Sequence, residues 1–446
     1  MSSEDFDVAV VGAGAAGIAA ALALRDAGLR CVVLEASGRL GGRAFTDTES
    51  LGAPFDRGAA WLHDADNNPL TPIALRQGFT LHEEPGRRRR DILLIGDRPA
   101  TPEEKAAHDA AAEAWEAAAE RRAAEGGPDI PLSDAVPRGG FWDATVEHWF
   151  GAIISGVEAR CDSLRDYVAT ALVGRNPQVR EGLGTLVARQ AEGLDVALGT
   201  PVNVVRTGGP GGAVELEGPR GRVRARGCVV TVSTGVLAAG AIRFDPALPP
   251  AVLDAVARLP QGMVTKVALR AAGADRLDLP DFGRLGRRVE HDRDRPASWI
   301  CWPFGRDHAI AYIGGEASRE LAREGPGAAD AFARAELARF FGPARVERAF
   351  RPGAAVTRWA EDPLFRGAYS HARVGHAGAR AVLRDAAVAD GRLRFAGEAC
   401  HERYAGTVGG AWESGLRAAR ALAEALASGT GLHAGSKSAA LPESKR

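Results

Sequence analysis

Residues 6–35 run FDVAVVGAGAAGIAAALALRDAGLRCVVLE. Phe6–Val11 is a short continuous apolar run, the pattern of a strand buried on both faces. Gly12–Gly17 is a turn, residues 18–27 carry a helical pattern closed by Gly28, and Cys31–Leu34 is a second apolar run. Strand, glycine turn, helix and strand at this spacing predict a βαβ unit with parallel strands. Gly12, Gly14 and Gly17 form G-x-G-x-x-G. Glycine at 12 allows the tight turn, at 14 lets a pyrophosphate approach the backbone, and at 17 lets the helix pack close to the strand. The pyrophosphate would rest on the helix N-terminus, where unpaired N–H groups point outward. Glu35 closes the second strand and can accept from ribose hydroxyls, which disfavours a 2′-phosphate and therefore NADP.

The next residues, ASGRLGGRAFT, place Gly41, Gly42 and Arg43 directly after the acid. An NAD-binding unit does not require this second glycine turn. Arg43 is then either an anion partner beside the pyrophosphate or part of an ordinary surface loop.

Working outward, the 446 residues exceed what one small core needs, which predicts two domains. With 46% apolar residues, 25% charged residues and a formal net charge of −1, the composition is that of an ordinary globular chain. It provides no overall drive toward nucleic acid or an anionic membrane. The five cysteines, at 31, 161, 228, 301 and 400, show no C-x-x-C pair, so neither a disulfide framework nor a metal site is expected. The opening MSSEDFD lacks a basic segment followed by an apolar one, and no stretch reads as a membrane span; a cytoplasmic protein is expected. Arg87–Arg90 reads as a solvated basic loop, and the tail 429–446 as disordered.

Residues 101–125 predict a long, partly exposed helix, with Thr101 as cap, Pro102 in the first turn and Glu104 completing a capping box. Helices are expected over about 142–173, 182–192, 250–258, 327–341 and 407–427. Strands are expected at 201–206, 213–217, 222–226, 229–233, 263–270, 297–302, 309–313 and 393–397. The charged alternation RVRAR at 222–226 reads as solvent-facing. Such a mosaic implies discontinuous domains.

Seven ordered segments resemble the flavin-containing amine oxidase family, which includes monoamine oxidases, polyamine oxidases and flavin-dependent lysine demethylases. They are VVGAGAAGIAAA through LEASGRLGGR, FDRGAAWLH at 55–63, EGLGTLVARQ at 181–190, CVVTVSTGVL at 228–237, GMVTKVAL around Lys266, RWAEDPLFRGAYSHARVG at 358–375, and LRFAGEACHERYAGTVGGAWESGLRAAR at 393–420. The resemblance implies an α/β and α+β fold: a discontinuous Rossmann-like FAD-binding domain with an inserted substrate domain of mixed sheet and helices. The boundaries expected are 1–75, 182–245 and 386–428 for the FAD domain, and 76–181 and 246–385 for the substrate domain.

By the same resemblance, Gly12, Gly14, Gly17, Gly42 and Arg43 would lie by the FAD diphosphate, and Glu35 at the ribose. Val202 would address the adenine, Glu398 the diphosphate and ribityl end, and Val408 would offer its N–H to the flavin carbonyl edge. Lys266 matches the family lysine near flavin N5; the bland alternative is a strand-edge lysine with its amine in solvent. Trp359 and Tyr369 match aromatic residues at the flavin, although without the motif each is more often a core aromatic. Ala368 stands where covalent members carry the flavin-linked cysteine, so non-covalent FAD is expected. Thr407 stands where monoamine oxidases carry a second cage tyrosine. Trp61, His63, Tyr404 and Thr407 are the candidate substrate contacts. For His63 an ordinary hydrogen-bonded histidine is the equal alternative, and Asp64 and Asp66 either attract a cationic amine or keep the loop soluble.

The implied chemistry is oxidation of an amine to an imine, reduction of O2 to H2O2, and hydrolysis of the imine to an aldehyde. The partners expected are a small-molecule amine and O2, with no nucleic acid or membrane and with a homodimer left open. Two rivals stand beside it: an L-amino-acid oxidase or other flavin oxidoreductase of this architecture, and an FAD-bound interaction protein with little turnover.

Overall fold

In the computed structural model, residues 5–83, 90–209, 212–291 and 293–431 are described. The N-terminal unit forms as its pattern dictates: β1 (Asp5–Val11), α1 (Ala15–Asp26) and β2 (Cys31–Leu34), with the two strands parallel. Within β1 the side chains alternate between two buried layers. Val8 and Val10 pack with Leu24 of α1 and with Leu422 and Leu426 of the last helix, Val408–Gly431. Ala9 and Val11 pack on the opposite face with Val252, Ala255 and Leu383. A sheet covered on both faces explains why the strand is apolar without a break.

Around β1 the sheet grows to eight strands. Leu393–Phe395, Gly221–Val230, β1, β2 and Val196–Ala197 run parallel, in that spatial order. Val214–Gly218 and Val204–Arg206 add an antiparallel extension, and Arg243–Asp245 pairs parallel with Val204–Arg206 at its edge. The two strands expected at 222–226 and 229–233 are one strand, Gly221–Val230. Gly227, which looks like a break, instead marks a close approach: a Cβ there would stand 2.7 Å from Leu422 Cδ1. Nor is RVRAR wholly solvent-facing, because Val223 and Ala225 are buried. The strand ends at Val230, and Ser233 leaves it to cap the short helix Thr234–Ala238.

A second, seven-stranded sheet contains, in spatial order, Ala355–Val356, Val264–Arg270, His308–Gly314, Ser298–Cys301, Gly283–Arg287, Ile92–Ile95 and Arg98–Pro99. One face packs Val267, Leu269, Trp299 and Ile313 against Leu321 and Leu337, from the helices Gly315–Glu324 and Pro326–Phe341. The other face carries Lys266 opposite Tyr312, in register between neighbouring strands.

The helix Pro102–Ala124 has the full capping box: Thr101 Oγ1 accepts from Glu104 N, and Glu104 accepts from Thr101 N. One face, with Ala112, Trp115 and Ala119, is buried. The helix expected over 142–173 is broken into Asp143–His148, a π-helical turn Trp149–Ser155, a 3-10 turn Ala159–Cys161 and Leu164–Ala169. Gly156, at φ 68°, ends the π turn, and a Cβ there would crowd Met263 N at 3.1 Å. The short helices Leu70–Arg76, Pro343–Ala349 and Ala379–Asp385 were not anticipated.

Arg90 is not a solvated residue. It is half-buried, and its guanidinium lies 4.4 Å from the Trp149 ring centroid. The rest of the basic run lies outside the described residues. The last helix extends to Gly431, so residues 429–431 are helical rather than disordered; the remainder of the expected disordered tail lies outside the described residues. Among the described residues no helix is long and apolar enough to cross a membrane.

Gly17 tests the close packing of α1 on the sheet. A Cβ there would overlap the Gly12 carbonyl oxygen, whereas one at Gly38 would meet nothing within 4 Å. Gly17→Ala is expected to lower stability by about 1–3 kcal/mol through overpacking. Gly38→Ala should leave the melting temperature close to the parent's; equal melting of the two variants would refute the assignment.

Candidate active site

A cavity of about 1190 Å³ runs from the carboxyl ends of the parallel strands to the Lys266 face of the second sheet. It exceeds the roughly 300–1,000 Å³ typical of a single-ligand pocket, leaving room for a dinucleotide and a further small molecule. Its position, outside the carboxyl ends of parallel strands, is where open α/β sheets bind ligands.

At the nucleotide end, Gly12 turns the chain at φ +104°, and a Cβ would come within 2.7 Å of Thr231 Oγ1. Gly14 lines the cavity and has no protein atom closer than 3.9 Å to where its Cβ would be. That open space adjoins the start of α1, which has no side-chain cap and no acid in its first turn. An uncapped helix start with an open glycine fits a pyrophosphate. Gly17 lies under Gly12 rather than in the lining. Gly41 bridges to Gly14, and Gly42 packs on it, with a Cβ at 42 reaching 3.2 Å from Gly14 Cα. Glu35 is buried, and its carboxylate accepts from Ala13 N at 2.6 Å and Ser37 N at 2.8 Å. Those two N–H groups fix the acid at the cavity wall with lone pairs to spare for ribose hydroxyls. Val202 lines the same end. The donor set therefore fits FAD.

Arg43 lies in the middle of the cavity. Its Nη1 donates to Gln261 Oε1 at 2.9 Å, to the Ala368 carbonyl at 2.8 Å and to Glu398 Oε1 at 3.1 Å. Glu398 also accepts from Ser370 N, Ser370 Oγ and Gly406 N. Burial alone would raise its pKa, but Arg43 and Arg380 hold it below the ordinary value. Val408 starts the last helix and lines the cavity.

At the far end, Lys266 is 5% exposed. Its Nζ donates to the carbonyls of Asp56 at 2.8 Å and Gly58 at 2.6 Å. The amine lies 5.1 Å from the Tyr312 ring centroid and 5.8 Å from that of Trp61. Burial lowers the Lys266 pKa to about 8, opposed by the nearby Asp56 carboxylate. Lys266 is thus a buried amine facing the cavity and not a strand-edge residue. Trp359 donates its indole N–H to the Arg57 carbonyl at 3.2 Å. Tyr369 donates its hydroxyl to the Ile154 carbonyl at 2.7 Å, and burial pushes its pKa up. Both line the cavity, as do Trp61, His63 and Thr407. His63 Nδ1 lies 2.8 Å from Asn176 Oδ1, and its ring stacks on Trp61.

Tyr404 is not part of the lining: its hydroxyl donates to Asp64 Oδ2 at 2.7 Å. Asp64 is buried, held also by Asn67, and Asp66 pairs with Arg175, so neither acid is free at the cavity wall. Five cavity or supporting residues carry no signal in the sequence. Tyr312 sits in an apolar strand and gains meaning only from its register with Lys266. Gln261 is recognisable only through its bond to Arg43. The π turn supplies Phe150, Ile153 and Ile154 to the wall.

The family model for flavin containing amine oxidoreductase matches residues 15–423. The chain is 30% identical over 438 residues to lysine-specific histone demethylase 1 homolog 3 of Oryza sativa subsp. japonica, covering 92% of this chain and 53% of that protein. It thus spans about half the length of the first curated relatives it matches. Polyamine oxidase 2 of Arabidopsis thaliana is 28% identical over 458 residues, covering 94% of this chain and 88% of that protein. Among solved structures, cyclohexylamine oxidase from Brevibacterium oxydans IH-35A superposes with a TM-score of 0.76 at 23% identity, covering 94% of this chain and 99% of that one. A putrescine oxidase double mutant superposes with a TM-score of 0.72 at 22% identity over the same shares. The chain belongs to the flavin-containing amine oxidoreductase family.

Proposed function

We propose that the protein oxidises an amine to an imine with non-covalent FAD, passes the electrons to O2 as H2O2, and releases the imine for hydrolysis to an aldehyde. The observation that carries this reading is the buried Lys266 amine, facing a cavity continuous with the dinucleotide cradle. A polyamine or a primary or secondary amine is the substrate class we favour. Relatives named polyamine oxidases support it, those from Arabidopsis thaliana being 28% identical over 93–94% of this chain.

In this reading Gly12, Gly14, Gly42 and Arg43 hold the diphosphate half, and Glu398 lies beside it toward the ribityl end. Glu35 holds the ribose, Val202 the adenine, and Val408 the flavin carbonyl edge. When bound, the flavin supplies a two-electron acceptor. The protein supplies orientation, exclusion of water and placed charge. Trp61, Tyr369 and Trp359 give the cavity an aromatic wall against which an uncharged amine can be aligned. Lys266 Nζ satisfies two carbonyls with two N–H bonds, so in its neutral form a lone pair remains to take up a proton. A pKa near 8 makes both forms accessible around neutral pH. Ala368 has no sulfur with which to link a flavin.

Oxygen uptake and peroxide formation over primary amines, spermidine, spermine, acetylated polyamines and amino acids test the reading directly. Amines should be oxidised; oxidation of amino acids alone would refute it. In Lys266→Met, FAD should be retained while flavin reoxidation or turnover falls by roughly tenfold or more. The rise in parent activity as pH passes about 8, where Lys266 loses its proton, should vanish in the variant. Half-reactions identical to the parent's would remove Lys266 from the mechanism. After acid precipitation the flavin should be in the supernatant, and a yellow pellet would contradict the role given to Ala368.

A further inference from the structure

Among the described residues, six buried polar side-chain atoms have no hydrogen-bond partner, and two belong to cavity-lining side chains: Asp162 Oδ1 and His371 Nδ1. They face each other at 3.8 Å. That separation is too long for a hydrogen bond, and both atoms are sealed from solvent. Two bare acceptors buried face to face would each lack a donor, which costs free energy. We propose that Asp162 and His371 share one proton, a neutral carboxylic acid that closes the 3.8 Å gap to donate to a neutral imidazole, and that the bond so formed positions Tyr369 at the cavity wall. The positioning role rests on the amine-oxidase reading above.

The placement of the pair supports that role. His371 lies two residues beyond Tyr369, and Ser370 between them holds Glu398. On the other side, Asp162 follows the turn Ala159–Cys161, and the π turn packs on that turn at Gly151, where a Cβ would stand 2.9 Å from Ala159 N. The same π turn carries Ile154, whose carbonyl accepts from the Tyr369 hydroxyl. The pair therefore joins the segment carrying the Tyr369 backbone to the turn on which its hydroxyl acceptor packs. A backbone bond from Ser163 N to the Ala372 carbonyl, 3.1 Å long, runs beside it.

The surrounding charges are already matched. Asp166 is paired with Arg380 at 2.6 Å, and Glu398 with Arg43. Another carboxylate here would be unbalanced. Burial and the neighbouring Asp166 push the Asp162 pKa up to about 8, against Ser155, Arg380 and Ser163. Burial, with Arg380 and Arg373, lowers that of His371 to about 4, against Ala372 and Asp166. Between those values the pair holds one proton and no net charge. Because the folded-state pKa of Asp162 lies above its ordinary 3.8, its contribution to stability is full below that value and is lost as pH rises through about 8.

Asp162→Asn and Asp162→Leu in the flavin-loaded full chain test the proposal. The asparagine amide can still donate to His371 but cannot ionise. Its turnover should stay within about twofold of the parent's at neutral pH, and the ratio of variant to parent turnover should rise roughly tenfold by pH 9.5. Its melting temperature relative to the parent should widen by roughly 5 °C between pH 5 and pH 9. Asp162→Leu should lose kcat rather than raise KM. A flat activity ratio with parallel melting curves would overturn the shared proton. Turnover of Asp162→Leu equal to that of Asp162→Asn would overturn the positioning role. The melting measurement requires no substrate, so a parent that oxidises no amine refutes the function while the melting curves still decide on the proton.

Discussion

One guanidinium holds together segments that are far apart in the chain. Arg43 Nη1 reaches Gln261, Ala368 and Glu398, which are 218, 325 and 355 residues away along the chain. The Arg43 side chain is 22% exposed and that of Glu398 7%, so the pair is largely out of water. Removing one member of such a pair leaves an unmatched buried charge and costs roughly 3–5 kcal/mol. Glu398 in turn receives Ser370, and Ser370 receives Arg380, which clamps Asp166. This polar chain runs from the glycine cradle to the helix Leu164–Ala169, so the nucleotide end and the far wall of the cavity cannot shift independently.

The two sheets meet the same demand differently. The first is apolar on both faces, and function is confined to the ends of its strands, where Gly12, Glu35 and Thr231 leave the sheet. The second buries one face against helices and turns the other toward the cavity, so function sits on the strands themselves, at Lys266 and Tyr312. A lysine in the middle of a strand is costly to bury unless its N–H groups are satisfied. The carbonyls of Asp56 and Gly58 meet that requirement, and both come from the FDRG turn.

What was legible in the sequence was what depends on local pattern. The βαβ unit follows from apolar runs and three glycines, and the Thr101–Glu104 box from four residues. The broken helix after Asp143 was not legible. Its π turn answers to packing around Gly156 and Gly151, whose added Cβ atoms would crowd segments distant or folded back in space. Arg90 was misread because a basic run says nothing about an aromatic face folded against it. The direction of Tyr404 was not legible because a side chain in a short loop turns to its partner, here Asp64. Tyr312 acquires a role only across a strand pair, which composition cannot reveal.

Thr407 shows how a local requirement reshapes the site. Its Oγ1 accepts from Gly410 N at 2.9 Å, inside the first turn of the last helix, and donates to the Tyr404 carbonyl at 2.7 Å. The hydroxyl is therefore committed to starting the helix that packs against α1. An aromatic residue at 407 would leave that N–H group without the cap. With a cap here rather than a ring, Tyr369 stands without a tyrosine facing it from position 407. A separate aromatic pair stands over Lys266, where Trp61 and Tyr312 are 5.8 Å apart. The aromatic lining is therefore uneven: the capping role of Thr407 removes a ring from the Tyr369 side, while the register of two strands places one beside the lysine.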